Sequence, residues 1–552
     1  MDIRRTVIMI GLAISSYFLI LAWNEDYGSE KQIDAPIAAV EDTAVDTPVI
    51  TDSVSNNGNA ELPQVEVMDA PDHTAAVASG KLIRVVTDVL DISIDPRGGE
   101  VTQVLLPAYP ASIEQKDVPF VLMERNQRRV YVAQSGLLGR DGTDSNGAPL
   151  FSSSETRYEL VDGQDELKVV LSTGVEKGRI EKIYTFRRSD YLMDITYRIH
   201  NDSDSSWQGV FYAQLKRDGS ADPSSGPDMG MQAYLGAALT TQENRYEKVT
   251  FSDLEDASFK SQQNGGWAAM LQHYFLSAWV PDQDAAHTYN GRYVKGHYIF
   301  GFYDKPLQVA SGATGETGAS LYVGPKIQSQ LGEIATNLEL TVDYGWLWWI
   351  AQPLFVGLEF FHSIVGNWGV AIILLTICIK ALFFYPSAMS YRSMANMRKV
   401  GPKMQELKDR HGDNREKLGQ EMMKLYRDEK INPLGGCLPI LIQMPVFIAL
   451  YWVLMESVEL RQAPFALWIE DMSVMDPYFI LPLIMGASMF VQMKLNPAPP
   501  DPMQARVMQF MPVIFTIFFL WFPAGLVLYW VVNNLLSISQ QYVITKQIEK
   551  GA

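Results

Sequence analysis

The chain has 552 residues, with 63 Asp and Glu against 45 Lys and Arg, for a formal net charge of −18. At roughly 100–200 residues per domain, that length accommodates about three regions. Such acidity argues against a broad nucleic-acid-binding surface, and two cysteines, Cys378 and Cys437, cannot staple a disulfide-built secreted scaffold. The mean hydropathy of −0.02 averages two unlike parts. Residues 24–343 hold 26 basic and 47 acidic side chains, whereas residues 344–552 hold 17 and 15.

At the N-terminus, Arg4 and Arg5 precede an apolar run from Val7 to Trp23. At 1.5 Å per residue this run reaches about 25 Å, enough for a thin bilayer. It ends in Leu21-Ala22-Trp23-Asn24-Glu25-Asp26 with no small-x-small cleavage site. Residues 1–23 are therefore expected to be an uncleaved transmembrane anchor rather than a signal peptide, with its start in the cytoplasm by the positive-inside bias. Residues 24–80 carry 12 acidic residues against Lys31 alone and show no periodicity. That composition predicts a disordered acidic linker.

Alternation begins near Lys81, with Ile83, Val85, Val89, Ile92 and Ile94 leading to the turn Asp95-Pro96-Arg97-Gly98-Gly99. Further strands are expected at Leu167–Ser172, Ile180–Arg187, Leu192–His200 and Gly209–Leu215, separated by Gly, Asp and Ser turns. Residues 81–343 thus read as one large antiparallel β-sandwich. His73, His200, His273, His287 and His297 have no metal-site spacing. Gly312-Ala313-Thr314-Gly315 is followed by Glu316 rather than a phosphate-binding lysine, and no G-x-S-x-G elbow occurs. No cofactor or metal is expected, and a non-catalytic domain is favoured over a sugar enzyme.

Tyr344-Gly345-Trp346-Leu347-Trp348-Trp349 opens an aromatic-rich segment. Tryptophans favour the headgroup layer, so 344–366 is expected to form an interfacial amphipathic helix, with a buried core helix as the alternative. Spans follow at Trp368–Tyr385, Leu434–Met455, Tyr478–Met493, Val507–Phe522 and Ala524–Tyr542, six with the N-terminal run. Charge supports one alternation. Loop 387–432 has 11 basic and 7 acidic residues and is expected inside, while loop 456–477 has five acidic residues against Arg461 and is expected outside. Lys546 and Lys550 return the C-terminus to the cytoplasm, and the acidic sandwich falls outside. Two spans of about 16 residues reach only about 24 Å, so the bilayer must thin unless they extend.

Lys380 lies inside an apolar run, with Thr376 one helical turn earlier on the same face. An intramembrane cation costs on the order of 3 kcal/mol and usually lines a wet cavity, although snorkelling to the interface is the alternative. No Asp or Glu lies inside the six spans, which argues against a proton-relay transporter. Loop 387–432 is expected to be a helical hairpin. Its first helix would run over Ser387–Arg410 through Gly401-Pro402, and Asp413 would cap the second with Glu416 three residues on. Met404 and Met422 belong to a methionine-rich surface that either receives apolar partners or forms the hairpin's own seam.

Short stretches then carry a resemblance: Asn432-Pro433-Leu434-Gly435-Gly436-Cys437-Leu438-Pro439, Gln443-Met444-Pro445, Leu460-Arg461-Gln462-Ala463-Pro464-Phe465, Asp501-Pro502-Met503 and Phe510-Met511-Pro512-Val513-Ile514-Phe515. Over its whole length the chain resembles the YidC/Oxa-type membrane protein insertases in their Gram-negative form. The resemblance implies a polytopic α-helical inner-membrane protein with a periplasmic β-sandwich of mutarotase-like fold and a five-helix insertase core over 367–552. It implies no enzymatic reaction. It also implies a polar groove through which short hydrophilic segments cross while transmembrane helices enter the lipid bilayer. The implied partners are nascent inner-membrane proteins, the Sec translocon and the ribosome. Lys380 stands where the family usually has Arg, keeping the charge but not the bidentate fork. Thr376, Gln443, Tyr529 and Trp530 fall on groove positions, and Met404 and Met422 fall in the cytoplasmic hairpin.

Overall fold

The computed structural model describes residues 81–145, 147–224, 233–411, 414–429, 438–496 and 502–550. The expected N-terminal anchor and acidic linker lie outside the described residues.

Alternation builds the soluble block. In the strand Leu192–Asn201, Met193, Ile195, Tyr197, Ile199 and Asn201 are buried while their neighbours are half-exposed. This strand pairs antiparallel with Gly178–Arg187 on one side and Thr314–Pro325 on the other. A one-residue slip would turn its buried set to the solvent, so the register is strongly specified. The four expected strands fall within Glu166–Val175, Gly178–Arg187, Leu192–Asn201 and Trp207–Arg217. The block forms sheets of eleven and nine strands, and its core includes Trp207, Trp267 and Trp279, each at most 1% exposed. One pairing departs from the antiparallel expectation: Ile83–Val86 runs parallel to Arg157–Glu159. The long excursion between these strands supplies the crossover that a parallel pair needs. The turn at 95–99 is present, with Gly98 and Gly99 at φ +72° and +61°, a left-handed backbone that glycine enters without a Cβ penalty.

Two short helices, α1 (Phe251–Asp256) and α2 (Gln328–Ile334), belong to this block. A 3-10 turn at Gly345–Leu347 then leads into α3 (Trp348–Val365), which ends at Gly366 in the left-handed region. The remaining helices are α4 (Trp368–Leu382), α5 (Phe384–Lys399), α6 (Gly401–His411), α7 (Arg415–Asp428), α8 (Leu438–Glu456), α9 (Ile480–Leu495), α10 (Pro502–Phe518) and α11 (Ala524–Lys550).

Several expected boundaries move, for local reasons. The expected span to Tyr385 stops at Leu382, and the chain bends by 67° into α5. Pro386 accounts for the break, because its ring would collide with the carbonyl of Leu382 four residues earlier. The first hairpin helix likewise divides at Val400 rather than crossing Gly401-Pro402. Asn414 caps α7 by accepting a hydrogen bond from the Lys417 amide at 3.1 Å; the expected cap, Asp413, lies outside the described residues. The short apolar helices do not extend far. α9 has 16 residues and α10 has 17, about 24–26 Å against a hydrocarbon core of about 30 Å. Among the described residues no single helix is long and apolar enough to cross a membrane, and α4 with α5 meets that test only as a bent pair. α9 and α10 meet closely, since a Cβ on Gly486 would fall 1.9 Å from Thr516 Oγ1, the small-residue contact by which membrane helices approach.

Candidate functional site

α4, α8 and α11 bring one polar cluster together inside otherwise apolar helices. Lys380 Nζ, near the end of α4, donates to Ser537 Oγ at 2.8 Å and to Gln443 Oε1 at 3.5 Å. Gln443, from α8, donates through Nε2 to Tyr529 Oη at 3.1 Å and to Asn533 Oδ1. Ser537 Oγ donates in turn to the Asn533 carbonyl at 2.7 Å. Tyr529, Asn533 and Ser537 are buried, whereas Lys380 and Gln443 are half-exposed. Both hydrogen-bond partners of Lys380 are neutral, and it makes no ion pair among the described residues. Its full charge is therefore held by hydroxyl and amide dipoles and remains available to an incoming anion.

The expected residues occupy different parts of this arrangement. Lys380, Gln443 and Tyr529 join directly. Thr376 is 1% exposed, and its hydroxyl donates to the Ile372 carbonyl at 2.6 Å, back onto its own helix. Trp530 turns into an aromatic group, with ring centroids 4.8 Å from Phe447 and 5.3 Å from Phe519. Its indole Nε1 is buried without a hydrogen-bond partner among the described residues. Asn533 and Ser537 were not singled out from sequence, yet a signal was present: Tyr529, Asn533 and Ser537 recur every four residues along α11, one face of a helix.

The hairpin methionines differ in burial. Met404 is 8% exposed and packs with Val400 and the half-buried Met397, Met422, Leu425 and Tyr426. Met404 and Met422 thus lie in the seam between α6 and α7. Met423 and Met389 point outward, 57% and 45% exposed. α3 divides into two apolar faces: Ala351, Phe355 and Leu358 are buried, while Trp348, Trp349, Val356, Phe360 and Ile364 are exposed. An exposed apolar stripe of this kind suits a membrane surface.

The family profile described as "YidC periplasmic domain" matches residues 82–356, and the one described as "60Kd inner membrane protein" matches residues 360–551. The chain is 52% identical over 580 aligned residues to the membrane protein insertase YidC of Ectopseudomonas mendocina, covering 100% of this chain and 99% of that one. It is 53% identical over 558 residues to the membrane protein insertase YidC of Azotobacter vinelandii, covering 100% of both. A crystal structure titled as an active YidC insertase with its first transmembrane domain resolved aligns with a TM-score of 0.39 and 18% identity, over 84% of this chain and 93% of that one. Family and profile together make this an inner-membrane protein that carries a periplasmic β-sandwich. The chain belongs to the YidC family of membrane protein insertases.

Proposed function

We propose that this protein inserts inner-membrane proteins through a groove centred on Lys380, with Gln443, Tyr529, Asn533 and Ser537 as its polar wall and Thr376 behind it. The observation that carries this reading is a half-exposed lysine among apolar helices whose hydrogen-bond partners are neutral. A short hydrophilic segment of a nascent protein enters the groove and exchanges water for fixed dipoles, which lowers the cost of leaving bulk solvent. Its acidic side chains are drawn to Lys380. The arriving apolar helix packs against Phe447 and Trp530, which the buried Phe519 backs, and passes into lipid. No bond is made or broken, so the process needs no catalytic residue and no cofactor.

The topology that serves this mechanism has six spans, both termini in the cytoplasm and the sandwich outside. It divides the chain into an anchor (1–23), a linker (24–80), the sandwich (81–343), an interfacial helix (344–366) and an insertase core (367–552). The exposed tryptophans of α3 support its place at the outer surface, and the basic excess of 387–432 supports a cytoplasmic hairpin. That hairpin offers the outward Met423 and Met389 to nascent chains, the ribosome or the Sec translocon. The test is photo-cross-linking from Ser537 to a ribosome-bound nascent membrane protein after depletion of the native insertase. Adducts that form during insertion and vanish with a non-inserting substrate support the groove. Adducts equally abundant with a soluble nascent chain refute it.

A further inference from the structure

α11 carries two polar faces. Tyr529, Asn533 and Ser537 turn towards Gln443 and Lys380, and Asn534 begins a second face about 100° further round. Asn534 Nδ2 donates to Ser488 Oγ of α9 at 2.9 Å, and that hydroxyl donates to the Met485 carbonyl at 2.6 Å. Seven residues on, Gln541 Nε2 donates to the Leu495 carbonyl at 3.1 Å and to Asn496 Oδ1 at 3.0 Å. Ser488 and Leu495 are also seven residues apart, so α9 and α11 run parallel and in step between the two holds. Neither stretch contains a proline. Ser488, Asn534 and Gln541 are buried, whereas Leu535 and Tyr542, on the far side of α11, are exposed. Arg398 of α5 shares the end of α9, donating to the Lys494 and Leu495 carbonyls at 3.1 and 2.9 Å. The hold made by Asn534 lies next to the polar wall itself, one residue from Asn533.

We infer that Asn534, supported by Gln541, is a positioning residue that ties α11 to α9 and so fixes the rotation at which α11 presents Asn533 and Ser537 to the groove. Between helices in lipid there is no hydrophobic drive to set that rotation, and close packing and interhelical hydrogen bonds take over the task. The tolerance is narrow. At a side-chain radius of about 5 Å, a turn of about 30° moves an atom by roughly 2.6 Å. Hydrogen bonds hold over a range of only about 0.5 Å, so such a turn would part Asn533 from Gln443 and Ser537 from Lys380. Turned towards lipid, the Asn534 amide would also lose its partner where water cannot replace it. Asn534 touches no substrate and acts through its neighbours on the wall. This inference rests on the groove reading above.

The test reads groove geometry and insertion separately, on the full-length protein in proteoliposomes. Asn534→Leu removes the bond at similar volume, and insertion of a substrate with an acidic translocated segment should fall about threefold. Geometry is read in a background carrying Cys378→Ser and Cys437→Ser, where Gln443→Cys and Asn533→Cys are bridged by a short bis-maleimide. Adding Asn534→Leu should slow that bridging by a similar factor. The exchanged pair, Asn534→Ser with Ser488→Asn, rebuilds the bond with donor and acceptor reversed and should return both readouts to within about twofold of the parent. Should Asn534→Leu fail to accumulate, Ser488→Ala removes the acceptor alone and enters the same comparison. Unchanged bridging in Asn534→Leu, or no recovery in the exchanged pair, overturns the positioning role while leaving the groove intact. Slowed bridging with parental insertion overturns the groove reading itself.

Discussion

Reversing the charge at Lys380 separates a groove that works by potential from a lysine that merely reaches for the interface. Lys380 is half-exposed and bonded to Ser537 and Gln443, so its field acts in a partly wet environment. Taking a substrate carboxylate about 6 Å from Nζ and an effective dielectric of about 40, the attraction is about 1.4 kcal/mol. Lys380→Glu turns that attraction into a repulsion of similar size, a change of about 3 kcal/mol or roughly 100-fold. Lys380→Met removes only the attraction, a loss of up to roughly tenfold. Gln443 keeps Tyr529 and Asn533 as partners in that variant, and Ser537 keeps the Asn533 carbonyl, so the fold should lose little. Lys380→Arg should insert within about twofold of the parent, because both side chains are cationic at neutral pH. The assay is protease protection of two matched substrates in proteoliposomes, one with an acidic translocated segment and one with Asn and Gln in place of Asp and Glu. The acidic substrate should fall in the order Arg, Met, Glu, and raising salt should narrow the spread. Parental insertion of both substrates by the Glu variant would refute the role of the charge.

Three further outcomes follow from particular contacts. A cysteine placed at the exposed Ser258 should react with an impermeant maleimide in intact spheroplasts; labelling only after the membrane is opened would overturn the outside placement of the sandwich. Met404→Asp buries a carboxylate in the seam between α6 and α7 and should melt the hairpin, giving rapid proteolysis near residues 400–428 with the core still resistant, whereas Met423→Asp should leave the hairpin protected; equal protease resistance of both variants would contradict the seam. Burial, reinforced by Glu359, pushes the Glu459 carboxyl up to about 7 from its ordinary 4.5. A raised acid binds its proton more tightly in the folded state, so its ionisation costs stability progressively as pH rises from about 4.5 through 7. Glu459→Gln should therefore melt above the parent at pH 8 in detergent, with the difference closing towards pH 4.5, and a pH-independent difference would sink this account.

The sandwich was legible because a half-buried strand writes its environment into every second residue. Met193, Ile195, Tyr197 and Ile199 announced both the strand and its inner face. The parallel pairing of Ile83–Val86 with Arg157–Glu159 was not legible, since three residues at an edge carry no direction in their pattern. Helix ends went wrong where proline acts at a distance. Pro386 lies in the helix that it starts, but its steric effect falls on Leu382 in the helix before. At the groove, Lys380 stood out because a charge in an apolar run is rare. Asn533 and Ser537 were hidden because Asn and Ser are unremarkable one at a time, and only the four-residue spacing after Tyr529 reveals their common face. The ion pair of Lys326 with Glu456 and the hydrogen bond from His273 to the Met455 carbonyl were beyond reach of the sequence, for they join regions 130 or more residues apart in the chain.

The two halves of the molecule also bear on one physical problem from different sides. A hydrophilic segment crossing a bilayer loses water over the hydrocarbon thickness, and the cost grows with that thickness and with the polarity left unpaired. If α9 and α10 cross the bilayer as proposed, helices of 16 and 17 residues would reduce the first by drawing the bilayer in around themselves. On the proposed groove reading, the cluster of Lys380, Gln443, Tyr529, Asn533 and Ser537 would reduce the second by presenting donors and acceptors partway through the remaining barrier. These contributions depend on one another. A polar wall displaced along its helix would meet the segment where water already serves it, and a thinned bilayer without the wall would still leave amides and carboxylates unpaired at its centre. On the proposed reading Gln443, with Tyr529 and Asn533 as its partners, would have to sit at the depth where the barrier is highest.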